Sequence, residues 1–210
     1  MTGAATATSS ERRLTPRGKE RRRQLLEFAA QRFAESGYHP TSVADIVGGL
    51  GVGKGVFYWY FDSKEQLFLE LLREAQTDLR RTQRDAIADE PDPVRRLELG
   101  IRAAFVWWAA HPEIMNLVQF AATESAFRPA IRQGQSVALG DAVTHLKEAI
   151  AEGRIRDAEP EALAHAVVGL TSHLSRELVH RRGDDPAEVA DLAIALLLDG
   201  LRGSDDHEKR

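Results

Sequence analysis

Apolar residues recur three or four positions apart along nearly the whole chain, a spacing that places them on one side of an α-helix. Leu25, Leu26, Ala29 and Phe33 are an early example. Proline and glycine separate one such stretch from the next, as expected where helices end and begin. The sustained alternation of apolar and polar residues that marks a half-buried strand is not found. The sequence of 210 residues is therefore predicted to be all-α.

The helix signals predict a group of short helices followed by a series of longer ones. The first helix is expected from Lys19 to the ESGYHP break, where Gly37 and Pro40 end it. Thr41 or Ser42 caps a second short helix, and a third runs from about Lys54 to Phe61. Longer helices are expected at 64–88, 94–110, 113–124, 129–152, 160–182 and 186–202.

The stretch from Gly49 to Gln66 reads GLGVGKGVFYWYFDSKEQ and joins two short helices through a glycine turn. Two such helices form a helix-turn-helix, in which the second helix enters the major groove of DNA. Gly51 suits the left-handed conformation of the turn. Gly53 and Gly55, at the start of the second helix, leave room for the backbone to approach DNA.

Five aromatic residues in this stretch divide by helical position. Phe57 and Phe61, four apart, are expected in the small core of the motif. Tyr58, Trp59 and Tyr60 cannot all be buried in so small a domain. Some of them must point outward, where their polar tips can donate to phosphate.

Charge is distributed unevenly along the chain. The net charge of −4 by itself argues against nucleic acid, but residues 1–64 hold ten Lys or Arg against six Asp or Glu. The first 64 residues are thus +4 and the remainder is −8, which favours a polyanion-binding N-terminal part on an acidic body. Residues 1–18 are predicted to be a disordered basic arm. Its Arg12, Arg13 and Arg17 either contact a minor groove of DNA or are solvated charges without a specific contact.

The segment TSVADIVGGLGVGKGVFYWYFDSKEQLF resembles the DNA-binding signature of TetR-family transcriptional regulators, within a match from about Arg21 to Leu71. The resemblance implies an all-α chain with a three-helix DNA-binding domain at 19–65 and a helical ligand-binding and dimerisation domain at 66–210. It also implies that Lys54, Gly55 and Val56 face bases. Phosphate contacts are implied for Thr41, Ser42, Tyr58, Trp59, Tyr60 and Lys64.

The sequence departs from the family pattern at a few positions. Gly53 stands where the family often has Ser or Thr, and Val47 where it often has Ala. Gly48 and Gly49 lie inside a helix, at a cost of about 1 kcal/mol each relative to alanine. We interpret these differences as signs of a more flexible and adaptable helix-turn-helix.

One helix-turn-helix reads too few base pairs to be selective, so a homodimer is expected on a double-stranded palindromic operator. The helix near 160–182 has an apolar stripe for its own core and a second line of small residues, and the last helix is unusually apolar. Two such helices from each subunit can form a four-helix interface, although an ordinary intrachain core is the alternative. The predicted interface residues are Ala162, Ala166, Gly169, His173, Leu192 and Leu196.

The aromatic segment from Ala104 to Phe127 is the predicted wall of a pocket for a small, largely apolar effector. Each aromatic residue alone is better explained as part of an ordinary core, and only the concentration of aromatic and amide side chains favours a cavity. The candidate pocket residues are Phe105, Trp108, Met115, Asn116, Gln119, Phe120, Phe127 and His145. The resemblance implies that effector binding acts through the helix 64–88 and changes the separation of the two DNA-binding domains of a dimer. Release of DNA is the outcome that predominates in the family, and an effector that tightens DNA binding is the alternative.

Other classes of function find little support. The chain has no cysteine, no HExxH grouping, no phosphate-binding glycine loop and no nucleophile elbow, so neither an enzyme, a metal site nor a cofactor is predicted. The sequence has no apolar run long enough to cross a membrane and no signal-peptide pattern, and we expect a cytoplasmic protein. An architectural DNA binder without an effector is the remaining alternative.

Overall fold

The computed structural model describes residues 14–201, which form nine α-helices, one π-helical segment and no strand. The all-α prediction is confirmed. The chain divides into two compact units between Leu67 and Phe68, inside the fourth helix.

The N-terminal unit is built from α1 (Pro16–Ser36), α2 (Val43–Gly49), α3 (Lys54–Tyr60) and the first turn of α4 (Lys64–Ile87). α2 packs against both α1 and α3. The apolar faces predicted from spacing meet in one small core, because a helix can bury its apolar stripe only against another element. Its buried residues include Leu25, Leu26, Ala29, Phe33, Ile46, Phe57, Phe61 and Leu67.

The first helix begins at Pro16, three residues before the predicted start at Lys19. Thr15 caps it by accepting a hydrogen bond from the backbone N–H of Gly18, and Pro16 occupies the first helical position, where its missing N–H costs nothing. Arg17 therefore lies in the first turn of α1 and not in an arm. Arg12 and Arg13 lie outside the described residues.

Gly49 permits the close packing of α2 on α1. A Cβ atom at this position would lie 2.0 Å from Cζ of Phe28, a separation that would force the ring to move. The neighbouring Gly48 has no such neighbour within 4 Å. One of the two adjacent glycines thus has a packing reason that the sequence analysis did not recognise, and the other does not.

The C-terminal unit contains the rest of α4, then α5 (Pro93–Ala110), α6 (Pro112–Thr123), α7 (Arg128–Ala151), α8 (Pro160–Leu174) and α9 (Pro186–Leu201). α7 packs along α5 and α8, while α9 packs along α5. Their apolar faces share one core, whose most buried members include Phe105, Leu146, Ala149, Ala164, Ala190 and Ala193.

The helix predicted at 160–182 changes character halfway along. α8 passes without a break into a π-helical segment, Ser175–Arg182, which ends where Gly183 adopts a left-handed φ of 78°. π-helical turns are rare and occur frequently at functional sites. The segment packs against α5, α6 and α9, so the change of helix type lies within the C-terminal core.

Candidate nucleic-acid interface

The N-terminal end of α3 lies on the surface of the N-terminal unit. Gly53 caps the helix without a side-chain hydrogen bond, and Lys54 and Gly55 are exposed. Val56 is partly buried. A Cβ atom at Gly53 or Gly55 would meet nothing within 4 Å, so the backbone here is open to a close approach from outside.

The aromatic residues of α3 face two ways. Phe57 and Phe61 are fully buried, whereas Tyr58 is 55% exposed and Trp59 is 51% exposed. Tyr60 is partly buried, and its ring lies edge-on to Trp59 with 4.5 Å between the ring centroids. The helix thus buries the pair spaced four apart and presents two large aromatic rings next to its basic end.

Thr41 and Ser42, the two residues before α2, differ in burial. Ser42 is exposed and forms a capping box with Asp45, whose backbone N–H donates to Oγ of Ser42 at 3.2 Å. Hydrogen bonds from Ser42 hold the pKa of Asp45 below its ordinary value. Thr41 is only 1% exposed, and its hydroxyl donates to the carbonyl of Gly37 at 2.8 Å. Only the serine presents its hydroxyl to the surface.

Lys64, at the first position of α4, is held by backbone carbonyls of the segment between α1 and α2. Its Nζ lies 2.8 Å from the oxygens of Tyr38 and Thr41 and 3.4 Å from that of His39. The ammonium also lies 4.3 Å from the ring centroid of Tyr38. Partial burial lowers the pKa of Lys64. The residue predicted to contact phosphate is thus engaged with the protein in this structure.

The predicted effector residues do not converge on one place. Phe127 packs on Phe68 with ring centroids 4.4 Å apart, and Phe120 lies edge-on to Phe68 at 5.8 Å. Phe105 belongs instead to the core shared by α5, α7, α8 and α9. Met115 is buried, while Trp108 and Gln119 are partly buried.

Asn116 lies one turn before Phe120 on α6, whereas His145 lies away from the aromatic group. Asn116 is exposed, and its Oδ1 is 2.9 Å from Nε2 of His180. His145 lies far along α7 from Phe127, about 27 Å away at 1.5 Å per residue. Its Nδ1 is buried with no hydrogen-bond partner among the described residues. Burial, and then the nearby Arg96, lower the pKa of His145.

Sequence reasoning missed Thr171 and Ser175. Both are buried polar residues on the face of α8 that carries Val167, continuing into the π-helical segment at Val179. The signal was present in the sequence as two hydroxyl residues one turn apart within an apolar stripe.

The predicted dimer residues share one property, which is exposure. All six are exposed in the single chain, and Leu192 and Leu196 are 47% and 56% exposed. They lie on α8 and α9, two helices that pack against each other. The exposed set is Ala162, Ala166, Gly169, His173, Leu192 and Leu196.

Between residues 14 and 201, no helix is long and apolar enough to cross a membrane.

Residues 25–71 match the family of bacterial regulatory proteins of the tetR type. The match begins in α1, contains all of α2 and α3, and ends in α4. It therefore covers the helix-turn-helix whose α3 presents Lys54, Tyr58 and Trp59 on the surface.

Relatives extend the similarity beyond this segment. The uncharacterized HTH-type transcriptional regulator YdgC of Bacillus subtilis is 27% identical over 200 residues, 90% of this chain and 97% of YdgC. The HTH-type transcriptional repressor KstR2 of Mycobacterium tuberculosis is 37% identical over 109 residues. That second match spans about half of each protein, 52% of this chain and 54% of KstR2.

A solved structure shows the same fold over both units. The transcriptional regulator FadR from Bacillus subtilis, in complex with stearoyl-CoA, matches with a TM-score of 0.76 at 23% identity. The match covers 86% of this chain and 99% of FadR. With the helix-turn-helix signature, the surface of α3 and the helical C-terminal unit all in agreement, the chain belongs to the TetR family of bacterial transcriptional regulators.

Proposed function

We propose that this regulator is a homodimeric repressor, in which α3 of each subunit reads one half of a palindromic operator and a largely apolar small molecule releases the DNA. The observation that carries the proposal is the exposed start of α3, where Lys54 and Gly55 lie beside the exposed rings of Tyr58 and Trp59. An end of the helix covered by protein would not be available to a groove.

The exposed and partly exposed residues of the N-terminal unit are suited to two kinds of contact with DNA, to bases and to the backbone. Lys54 can donate to guanine O6 or N7, and Val56 can contact a thymine methyl group. Ser42 and the polar tips of Tyr58 and Tyr60 can contact phosphate, and the indole of Trp59 can lie against the sugar–phosphate backbone. Base contacts choose the site, whereas phosphate contacts set the affinity and its salt dependence.

The exposed residues of α8 and α9 support the dimer. Leu192 and Leu196 are large apolar side chains, and the small residues Ala162, Ala166 and Gly169 on the neighbouring helix allow a second helix to approach closely. The same faces from two subunits form a self-complementary four-helix contact around a twofold axis. A dimer places two helix-turn-helix motifs on one operator.

The names of the relatives support repression and an apolar effector. KstR2 is named as a transcriptional repressor, and FadR was solved with stearoyl-CoA, whose acyl chain is apolar. The family match at residues 25–71 lies almost wholly outside the C-terminal unit, so it does not fix which effector that unit binds. A ligand releases DNA by binding better to the conformation that holds DNA poorly.

Selection of binding sites from randomised duplex DNA tests the proposal. We expect the full chain to select a palindrome and Lys54→Ala to relax the preference at one base position in each half, at a cost of about 1–3 kcal/mol per half-site. Lys147→Ala is the matched control, because Lys147 lies on α7 and pairs with Glu161 at 3.1 Å. Selection of no palindrome, or an unchanged preference in Lys54→Ala, would contradict the proposal.

A further inference from the structure

The α8–π junction contains two buried hydroxyl groups that no described protein group bonds. Thr171 is 8% exposed and Ser175 is 0% exposed, and neither hydroxyl oxygen has a partner among the described residues. Most buried polar atoms in proteins are hydrogen-bonded, and an unmade bond destabilises the fold. Two such groups one turn apart therefore require an explanation.

The residues that flank the two hydroxyls on their own helix face are apolar. On the same face, Val167 precedes them by one turn and Val179 follows, and both valines are buried. The π-helical segment that starts at Ser175 packs against α5 and α6, the two helices of the aromatic segment. The hydroxyls thus lie within the C-terminal unit, at the point where the regular helix gives way to the rarer one.

Charged side chains of the π-helical segment are engaged elsewhere. Nε of Arg176 donates to Glu177 at 2.7 Å, and Arg181 also donates to Glu177, at 2.8 Å. His180 is hydrogen-bonded to Asn116. A carboxylate buried beside Thr171 and Ser175 would receive hydroxyl donors from these two residues and no cation from the π-helical segment, which does not compensate the cost of removing a full charge from water.

We propose that Thr171 and Ser175 together bind a neutral oxygen, a carbonyl or hydroxyl group, of an otherwise apolar effector at the α8–π junction. Residues four apart on a helix have Cβ atoms about 5–6 Å apart. A single oxygen between them lies within hydrogen-bonding distance of both hydroxyls, and a carbonyl oxygen has lone pairs for two donors. This inference rests on the proposed function, since it identifies the chemistry of the effector.

The first test is the stability of the free protein. Thr171→Val and Ser175→Ala remove the hydroxyls with little change in volume. Because neither hydroxyl has a protein partner among the described residues, we expect the melting temperature of each variant, and of the double variant, to stay equal or to rise. A fall of several degrees would show that the hydroxyls have structural partners, and it would overturn the proposal.

The second test measures binding of three small probes of similar shape by ligand-observed NMR. Acetophenone carries a neutral carbonyl, ethylbenzene has none, and benzoate is an anion. We expect the wild-type protein to bind acetophenone about tenfold more tightly than ethylbenzene, the ratio that corresponds to one net hydrogen bond. The double variant should bind the two equally.

Three outcomes would overturn the assignment: no binding of acetophenone, an acetophenone preference that survives in the double variant, or tighter binding of benzoate. The measurement uses the full chain without DNA. Its failure is therefore distinguishable from failure to select an operator, which would contradict the proposed function instead.

Discussion

The ammonium of Lys64 lies 2.8 Å from the backbone carbonyl oxygen of Thr41 and is also shared with the carbonyls of Tyr38 and His39. One side chain thereby connects the start of α4 to the segment that leads into α2. Lys64 thus holds the first turn of α4 against the segment between α1 and α2.

Lys64→Met is expected to lower the free energy of unfolding by about 2 kcal/mol, because it removes charge-assisted hydrogen bonds to partly buried carbonyls. Chemical denaturation monitored by tryptophan fluorescence measures the change. We expect the slope of log affinity against log salt concentration for DNA to remain unchanged, since the ammonium is already engaged with carbonyls.

Lys54→Met is the matched control for Lys64→Met, because Lys54 is an exposed lysine at the start of the neighbouring helix. Its stability should equal that of the wild type. If Lys64→Met leaves stability unchanged and flattens the salt slope by about 0.9 per half-site, as loss of one phosphate contact does, the phosphate role implied by the family resemblance is the correct one.

Gly48→Ala and Gly49→Ala are expected to change stability in opposite directions. Alanine at Gly48 meets no atom within 4 Å and should stabilise the fold by up to about 1 kcal/mol through helix propensity. Alanine at Gly49 would place its Cβ 2.0 Å from Phe28, so the ring must leave its position between α1 and α2. Thermal unfolding of the two variants, one methyl group each, provides the comparison.

The Phe28→Ala background separates the clash from any other effect at Gly49. With the ring absent, Gly49→Ala should become neutral or stabilising, as Gly48→Ala is in the wild type. Equal destabilisation by Gly49→Ala in both backgrounds would show that Phe28 is not the reason for the glycine.

Leu196→Glu is expected to convert the dimer to a monomer, because it places a charge in the contact proposed for α8 and α9. Val106→Glu is a closely matched control: both side chains are 56% exposed, but Val106 lies on α5, outside the proposed contact. Sedimentation velocity at micromolar concentration measures both. A wild-type chain that sediments as a monomer, or a dimer that survives Leu196→Glu, would exclude this interface.

His145 should make the stability of the protein depend on pH. Its pKa is lowered in the folded chain from an ordinary value of 6.5, by burial and then by Arg96, against the opposing effect of Glu148 and Asp141. The folded state therefore favours the neutral ring. Stability is complete above the ordinary pKa and is lost as the pH falls below 6.5 toward the lower folded value.

Urea unfolding at pH 7.5 and pH 5.5 measures this dependence in the wild type and in His145→Gln. The variant should lose less stability on acidification, because its side chain does not take up a proton. His165→Gln, which replaces an exposed histidine of α8, should retain the wild-type loss. If His145→Gln loses as much stability as the wild type does, another group is responsible.

Much of the fold was predictable because the residues that begin and end a helix lie within a few positions of its ends. The prolines at 112, 160 and 186 each lie at the start of a helix, where the ring needs no hydrogen-bond partner, and the glycines at 37, 51 and 183 adopt positive φ at helix ends or turns. The spacing of Phe57 and Phe61 likewise placed both in the core and required some of Tyr58, Trp59 and Tyr60 to be outside, and the structure exposes Tyr58 and Trp59. The start of α1 was missed only because the Thr15–Pro16 signal was overlooked.

The partner of a side chain distant in sequence was not predictable, because packing alone decides it. No local pattern shows that the carbonyl of Thr41 accepts from Lys64, or that Phe28 fills the space above Gly49. The sequence determined where helices begin, which faces are apolar and that a helix-turn-helix is present, since these depend on neighbours a few residues away. Only the tertiary structure decided which polar groups find partners and which, like Thr171 and Ser175, are buried without one, since that depends on which helix faces meet.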